Sequence, residues 1–301
     1  MKKKILSVII LISLVLVNTG YAKRIYARGG LETKEVRVRS FVKLDVRTQI
    51  DVYLSQGNEE KLVIETYESI MPHVNVDQKG KTLNVYLDRN INRILWQNRS
   101  HMLKVFITVK DIEEIKLSGN CDLIMQTELS VKDLKIDASG ASDLSLKKIS
   151  GENIKIDASG ASDIKNAEFE AASLYINASG ASDANVWARA KKVTIISSGA
   201  SDFDLVTEGE TCALRSSGAS DFDVSGTCNY LRVNFSGASD LEAMALKSRD
   251  VKVDASGSSH VRVYASEKLD ANCSGMSTIH YTGNPGTLST NVSGLSSIKS
   301  K

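Results

Sequence analysis

The chain has 301 residues, 42% of them apolar and 25% charged, a balance that excludes a disordered polymer and leaves room for one or two domains. Net charge is +2 and aromatic residues make up 6%, so the continuous basic face with interleaved aromatics that a nucleic-acid binder needs is not evident. Only two prolines occur, and a chain with so few breaks can repeat one structure over a long distance.

In chain order, Lys2, Lys3 and Lys4 form a basic start, Ile5 to Val17 is an apolar run, and Gly20-Tyr21-Ala22 supplies small residues at a cleavage site. This pattern predicts a secretory signal over residues 1–22, with Lys23 opening the mature chain. The run is too short to cross a bilayer comfortably, no cysteine follows the cleavage site, and no later segment has the hydropathy of a membrane helix. The expected protein is exported to the periplasm, the outer surface or the medium, where disulfides are permitted.

Residues 23–110 read as an irregular β region. Alternation is visible at Val36/Val38, Leu44/Val46, Ile50/Val52/Leu54, Leu62/Ile64 and Leu83/Val85/Leu87, with turns at Gln56-Gly57-Asn58 and Lys79-Gly80. The segment is expected to cap the C-terminal β-helix or to continue it. Asn90 to Met102, with Arg93, Trp96, Arg99 and His101, reads as a longer excursion.

Residues 111–301 repeat. Leu117-Ser118-Gly119-Asn120-Cys121-Asp122 opens a series of Ser-Gly-Ala-Ser-Asp copies at Ser139, Ser159, Ser179, Ser198, Ser217 and Ser236. Degenerate copies follow at Ser256, Ser274 and Ser293. Their glycines are Gly119, Gly140, Gly160, Gly180, Gly199, Gly218, Gly237, Gly257, Gly275 and Gly294, spaced 18 to 21 residues apart. Leu134, Ile136 and Ala138 alternate before Gly140, and Ser142, Leu144 and Leu146 continue the phase after it. Alternation on both sides of a Gly-Ala-Ser corner means strand, tight turn, strand. A unit of this size cannot bury its apolar face alone, so the units must stack. Ten coils at about 4.8 Å each span about 43 Å. Parallel crossovers are normally right-handed, so the expected fold is all-β, a right-handed parallel β-helix with about 20 residues per coil. An array of antiparallel hairpins is the alternative, and the constant phase of the inward column favours the helix.

The Ser-Gly-Ala-Ser-Asp series, strands such as Leu134-Lys135-Ile136-Asp137-Ala138, and an opening such as Val42-Lys43-Leu44-Asp45-Val46 with Ile50-Asp51-Val52-Tyr53-Leu54 resemble the putative auto-transporter adhesin head GIN domain family of secreted Bacteroidetes proteins. The resemblance covers roughly Phe41 to Ile298. It implies a pectin-lyase-like solenoid, no identified catalytic residues, an adhesive role and, by the adhesin analogy, a trimer.

Three kinds of residue are candidates for chemistry. Asp143, Asp163, Asp183, Asp202, Asp221 and Asp240 each stand three residues after a glycine, on the outward parity, as a column of like charges. Turn hydrogen bonds to the carboxylates are the plain reading; a calcium ladder between coils is the sharper one. His260 replaces the aspartate one coil later, and His280 shares its parity. A His-dependent step or a metal pair would sit at that break, and scattered surface histidines are the plain reading. Cys121 and Cys273, eight coils apart, read as small buried thiols, while Cys212 and Cys228 occupy neighbouring coils on opposite parity, so that a disulfide between them would need a loop adjustment. Nucleophile motifs, phosphate loops and zinc spacings are not found. The expectation is therefore no enzyme, no cofactor and no resident metal: a binding, adhesion-type or structural β-helix protein that meets a cell-surface or glycan ligand, with self-association through an exposed end coil. Its rivals are a polysaccharide-active β-helix enzyme and a periplasmic scaffold or accessory protein. Charge divides unevenly, with 16 basic and 10 acidic residues over 23–110 against 12 and 21 over 111–240.

Overall fold

The alternating residues pair as layers, one coil above the next. In a computed structural model that describes residues 23–88, 91–96 and 103–301, Leu44, Ile115, Ile136, Ile156, Ile176, Ile195, Leu214, Val233, Val253 and Ala271 are successive parallel partners in one column. All are buried. Beyond the corner a second buried column runs Leu123, Leu144, Ile164, Ala184, Phe203, Phe222, Leu241, Val261 and Ile279. Phe203 and Phe222 stack there with centroids 4.8 Å apart and rings inclined by 9°. The fold is an all-β parallel solenoid of about nine turns with roughly 20 residues per coil. Parallel pairing in unbroken order removes the hairpin-array alternative. The signal segment, residues 1–22, and Arg99 and His101 of the excursion lie outside the described residues.

The corner shows why glycine recurs. Gly160 has φ +90°, and a Cβ placed there would overlap the carbonyl oxygen of Gly140 one coil earlier. That oxygen accepts the Ala161 N–H at 2.8 Å. The same bond joins Ala141 to Gly119, Ala181 to Gly160, Ala200 to Gly180, Ala219 to Gly199 and Ala238 to Gly218. Glycine therefore meets two demands, a left-handed backbone and close approach between coils.

The serine of the corner points inward. Ser142, Ser162, Ser182, Ser201, Ser220, Ser239, Ser259 and Ser277 are all buried, in a ladder that satisfies its own polar atoms. Ser142, Ser162 and Ser182 donate their N–H groups to the Oγ of the next coil's serine at 3.3 Å, and Ser142 and Ser162 Oγ donate to the carbonyls of Ser139 and Ser159. Where serine replaces alanine in the neighbouring core column, the two hydroxyls pair: Ser197 with Ser220 at 2.7 Å, and Ser216 with Ser239 at 2.8 Å. Each such bond contributes about 1 kcal/mol, and an orphaned partner would cost more.

At the N-terminal end the helix is entered through strands Lys43–Thr48 and Asp51–Gln56, which pair in parallel with Glu114–Gly119 and Leu123–Met125. Antiparallel strands close this end. Val74–Lys79 pairs with Thr82–Leu87, and Leu31–Val36 pairs with Lys61–Tyr67, itself antiparallel to Lys104–Val109. Trp96 packs beside Tyr67 at 6.4 Å between centroids.

Candidate functional site

The outward aspartates form one column longer than the six residues singled out by motif. Asp51 pairs with Lys104, and the coils then present Asp122, Asp143, Asp163, Asp183, Asp202, Asp221 and Asp240 in turn. His260 follows Asp240, and Thr278 follows His260. Adjacent carboxylates one coil apart repel by about 0.9 kcal/mol at water's dielectric. Backbone amides offset this. Asp122 Oδ1 accepts the Asp143 N–H at 3.1 Å, Asp143 Oδ1 that of Asp163 at 3.4 Å, Asp163 Oδ1 that of Asp183 at 3.2 Å, and Asp183 Oδ1 that of Asp202 at 3.3 Å. Lys165 bridges Asp143 and Asp163 at 2.7 and 3.3 Å.

Two members of the column away from Lys165 are shifted upward, by burial first and by like charge second. Asp202 is held above the usual carboxylate range by partial burial and by Asp183 and Asp221 on either side. Asp51 is pushed up to about 6, chiefly by burial and then by Asp122, against the opposing pull of Lys104.

Two residues further along each coil lies a second outward column that the corner motif does not mark: Asp204, Asp223, Glu242, Arg262 and His280. Its only signal in the sequence is parity. Together the two columns border an open groove of about 620 Å³ over the buried Phe203, Phe222 and Leu241. Carboxylates line one half. His260, Arg262 and His280 line the other. The halves are tied across coils, His260 Nδ1 to Asp240 Oδ1 at 3.1 Å and Arg262 to Glu242 at 3.0 Å. The two histidines thus share one groove from different columns, His260 aligned with Thr278 and His280 with Arg262. Among the described residues no group of three His, Cys, Asp or Glu side chains is arranged to hold a metal ion. With one oxygen of Asp122, Asp143, Asp163 and Asp183 engaged by an amide, the ladder offers a cation isolated oxygens rather than a cage.

The cysteines stand apart from this face. Cys121, Cys212, Cys228 and Cys273 are buried free thiols. Burial pushes Cys121 up to about 11 and raises Cys212 and Cys228, which leaves little thiolate at neutral pH. Parity places Cys228 outward, yet it is buried. Cys228 keeps the phase of the buried Phe222 and Val224, and the phase changes only between Cys228 and Leu231; its Sγ lies 3.4 Å from Ser248 Oγ.

A repeat-built parallel β-helix with a charged, stacked outer face defines the class. Within it, a family model described as Putative auto-transporter adhesin, head GIN domain, matches residues 40–188 and 174–285, and the chain belongs to that family. Membership points to an exported or cell-surface protein of adhesin-like type. Among solved structures, a putative adhesin from Parabacteroides merdae is 18% identical with a TM-score of 0.54, covering 93% of this chain and 100% of its own. A putative lipid binding protein from Parabacteroides distasonis is 20% identical with a TM-score of 0.45 and the same coverage. A putative adhesin from Bacteroides fragilis is 19% identical with a TM-score of 0.35, over 92% of this chain and 100% of its own. At 18% identity the likeness to the Parabacteroides merdae structure shows the fold alone. No protein of curated function matches the chain.

Proposed function

We propose that this chain is an exported, non-enzymatic binding module of adhesin type, which meets a cell-envelope or host-surface ligand through its aspartate-bearing face. The observation that carries the reading is the open groove bordered by Asp202, Asp204, Asp221 and Asp223 at one end and His260, Arg262 and His280 at the other. Its floor is rigid, because every coil is hydrogen-bonded to the next, and a rigid scaffold presents surface groups without an ordering cost at binding. The net negative half disfavours nucleic acid and favours a ligand carrying cationic or hydrogen-donating groups. Export past the inner membrane, by the signal segment, brings the module to where such ligands are met.

The test is capture from envelope and host glycoprotein extracts by the immobilised chain, compared with a variant carrying Asp204→Asn and Asp223→Asn. Specific capture by the parent, weakened at least tenfold in the variant at unchanged melting temperature, supports the reading. Equal capture by both would move the contact off this face. The rival is a polysaccharide-active enzyme, favoured by the imidazoles beside carboxylates at the repeat break. Turnover of a polysaccharide that disappears in His260→Ala would replace the binding reading with that one.

A further inference from the structure

The two ends of the solenoid are finished differently. At the N-terminal end the outermost strands, Leu31–Val36 and Val74–Lys79, carry Glu32, Lys34, Glu35, Asp77 and Lys79, and charge on an edge strand discourages pairing with another chain. In the last coil Ser297–Ser300 carries Lys299, whereas Thr287–Val292 lacks this protection. Thr287–Val292 pairs on one side with Lys268–Cys273, and its sequence, Thr-Leu-Ser-Thr-Asn-Val, contains no charge and no proline.

That strand also carries the final layer of the core. Leu288 continues the column of Leu269, Thr290 that of Ala271, and Val292 that of Cys273. The earlier members of each column are buried, whereas Leu288 is 49% and Val292 47% exposed. Next to them at the corner, Leu295 is 85% and Met276 62% exposed. Inward-phase apolar side chains and an uncharged, unpaired backbone edge therefore occur together at one end.

We propose that this end is an interface with a second copy of the chain, joined tail to tail about a two-fold axis through antiparallel pairing of the two Thr287–Val292 strands. A second copy fits because the charged strands at the opposite end block head-to-tail stacking, so the contact must be isologous. A two-fold axis normal to the sheet reverses strand direction, as antiparallel pairing requires, while keeping the interior on the same side. One register then continues the core. Thr290 faces the same residue of the other copy and Leu288 faces Val292, so that inward side chains meet inward side chains. The neutral edge sets no like charge against itself.

Sedimentation equilibrium on the purified full chain tests this. The expected result is twice the mass of one chain, with Leu288→Lys and Val292→Lys each weakening dimerisation at least tenfold while the melting transition of the monomer stays in place. A second arm does not depend on those variants. Thr290→Cys should cross-link to itself under mild oxidation, and Leu288→Cys, which lies about 13 Å from its own equivalent in this register, should not. A monomer at every concentration, a trimer or open fibre, a dimer indifferent to both lysines, or a different protein found on this edge overturns the proposal. Capture by the groove is measured separately, so either reading can fail without the other.

Discussion

The first corner of the helix and those above it solve the same turn with different residues. From Gly119 to Gly294 the position is glycine, and in the first coil it is Thr48, the direct partner of Gly119. Thr48 holds φ +90°, costly for a β-branched residue. What it escapes is the steric demand. A Cβ on Gly119 would overlap the Thr48 carbonyl, because another coil lies directly beneath. Beneath Thr48 lies Leu87, at the end of its strand, with cavities of about 150 and 290 Å³ bordered by both residues. The comparison separates what the repeat asks of its glycine: space between stacked backbones is indispensable, while backbone freedom can be forgone at a price in strain.

The sharpest way to break that comparison is to add one methyl group in the middle of the stack. Gly160→Ala forces a Cβ into the Gly140 carbonyl at φ +90°, combining overpacking with backbone strain, and should cost about 3–5 kcal/mol. Gly80→Ala is the control. Its φ is +61° with nothing within 4 Å of an added Cβ, so it should cost about 1 kcal/mol. Urea denaturation of both variants reads the difference. Equal losses would mean that conformation alone, not the close approach of coils, demands glycine.

The reverse substitution is milder. Thr48→Gly relieves about 1–3 kcal/mol of strain and gives back about 1 kcal/mol in unfolded-chain entropy, so a net gain of about 1 kcal/mol is expected in the same assay. A loss would show that the threonine hydroxyl, which accepts the Leu87 N–H at 3.4 Å, matters more than the dihedral.

The same contrast explains what could be read from sequence. Ile136, Ile156 and Ile176 announce their shared column because the period is constant and the strands keep parity, and Ser142 and Ser162 announce their inward sense for the same reason. Thr48 carries no such mark, since it matches no copy of the corner motif. The closing antiparallel strands were legible only as alternation, because pairing direction depends on distant segments: Leu31–Val36 meets Lys61–Tyr67 across a chain separation that no local pattern encodes. Of the candidate site, Asp202, Asp221 and His260 stood out by motif. Asp204, Asp223 and Arg262 did not; Asp122 has the same spacing from Gly119 as the others have from their glycines, and Asp51 joins the column only once Val52 is seen beneath Leu123. Parity counted back from Leu231, Val233 and Phe235 misplaces Cys228, because the phase changes between Cys228 and Leu231, at a bend that no motif marks.

The smallest expected effect is electrostatic and belongs to the first coil as well. In the repeats Lys165 sits between two carboxylates. Asp51 is flanked instead by Asp122 on one side and by Lys104 on the other, and Lys104 is itself shared with Glu65 at 3.8 Å. Burial and the Asp122 charge raise Asp51 from 3.8 to about 6, so the folded chain holds this proton more tightly than the unfolded one. Stability from this group is therefore full below pH 3.8, declines as pH rises to about 6, and stays low above it. Asp122, also raised by burial and by Asp143, acts in the same direction. Asp51→Asn removes the penalty. Because the carboxylate is partly open to water, the gain at pH 7 is discounted to on the order of 1 kcal/mol, and it should vanish at pH 4. Thermal melts of both proteins at the two pH values decide the matter. An equal shift at pH 4 and pH 7 would place the effect in packing rather than charge, and would leave the aspartate column of the first coil no more strained than that of the repeats.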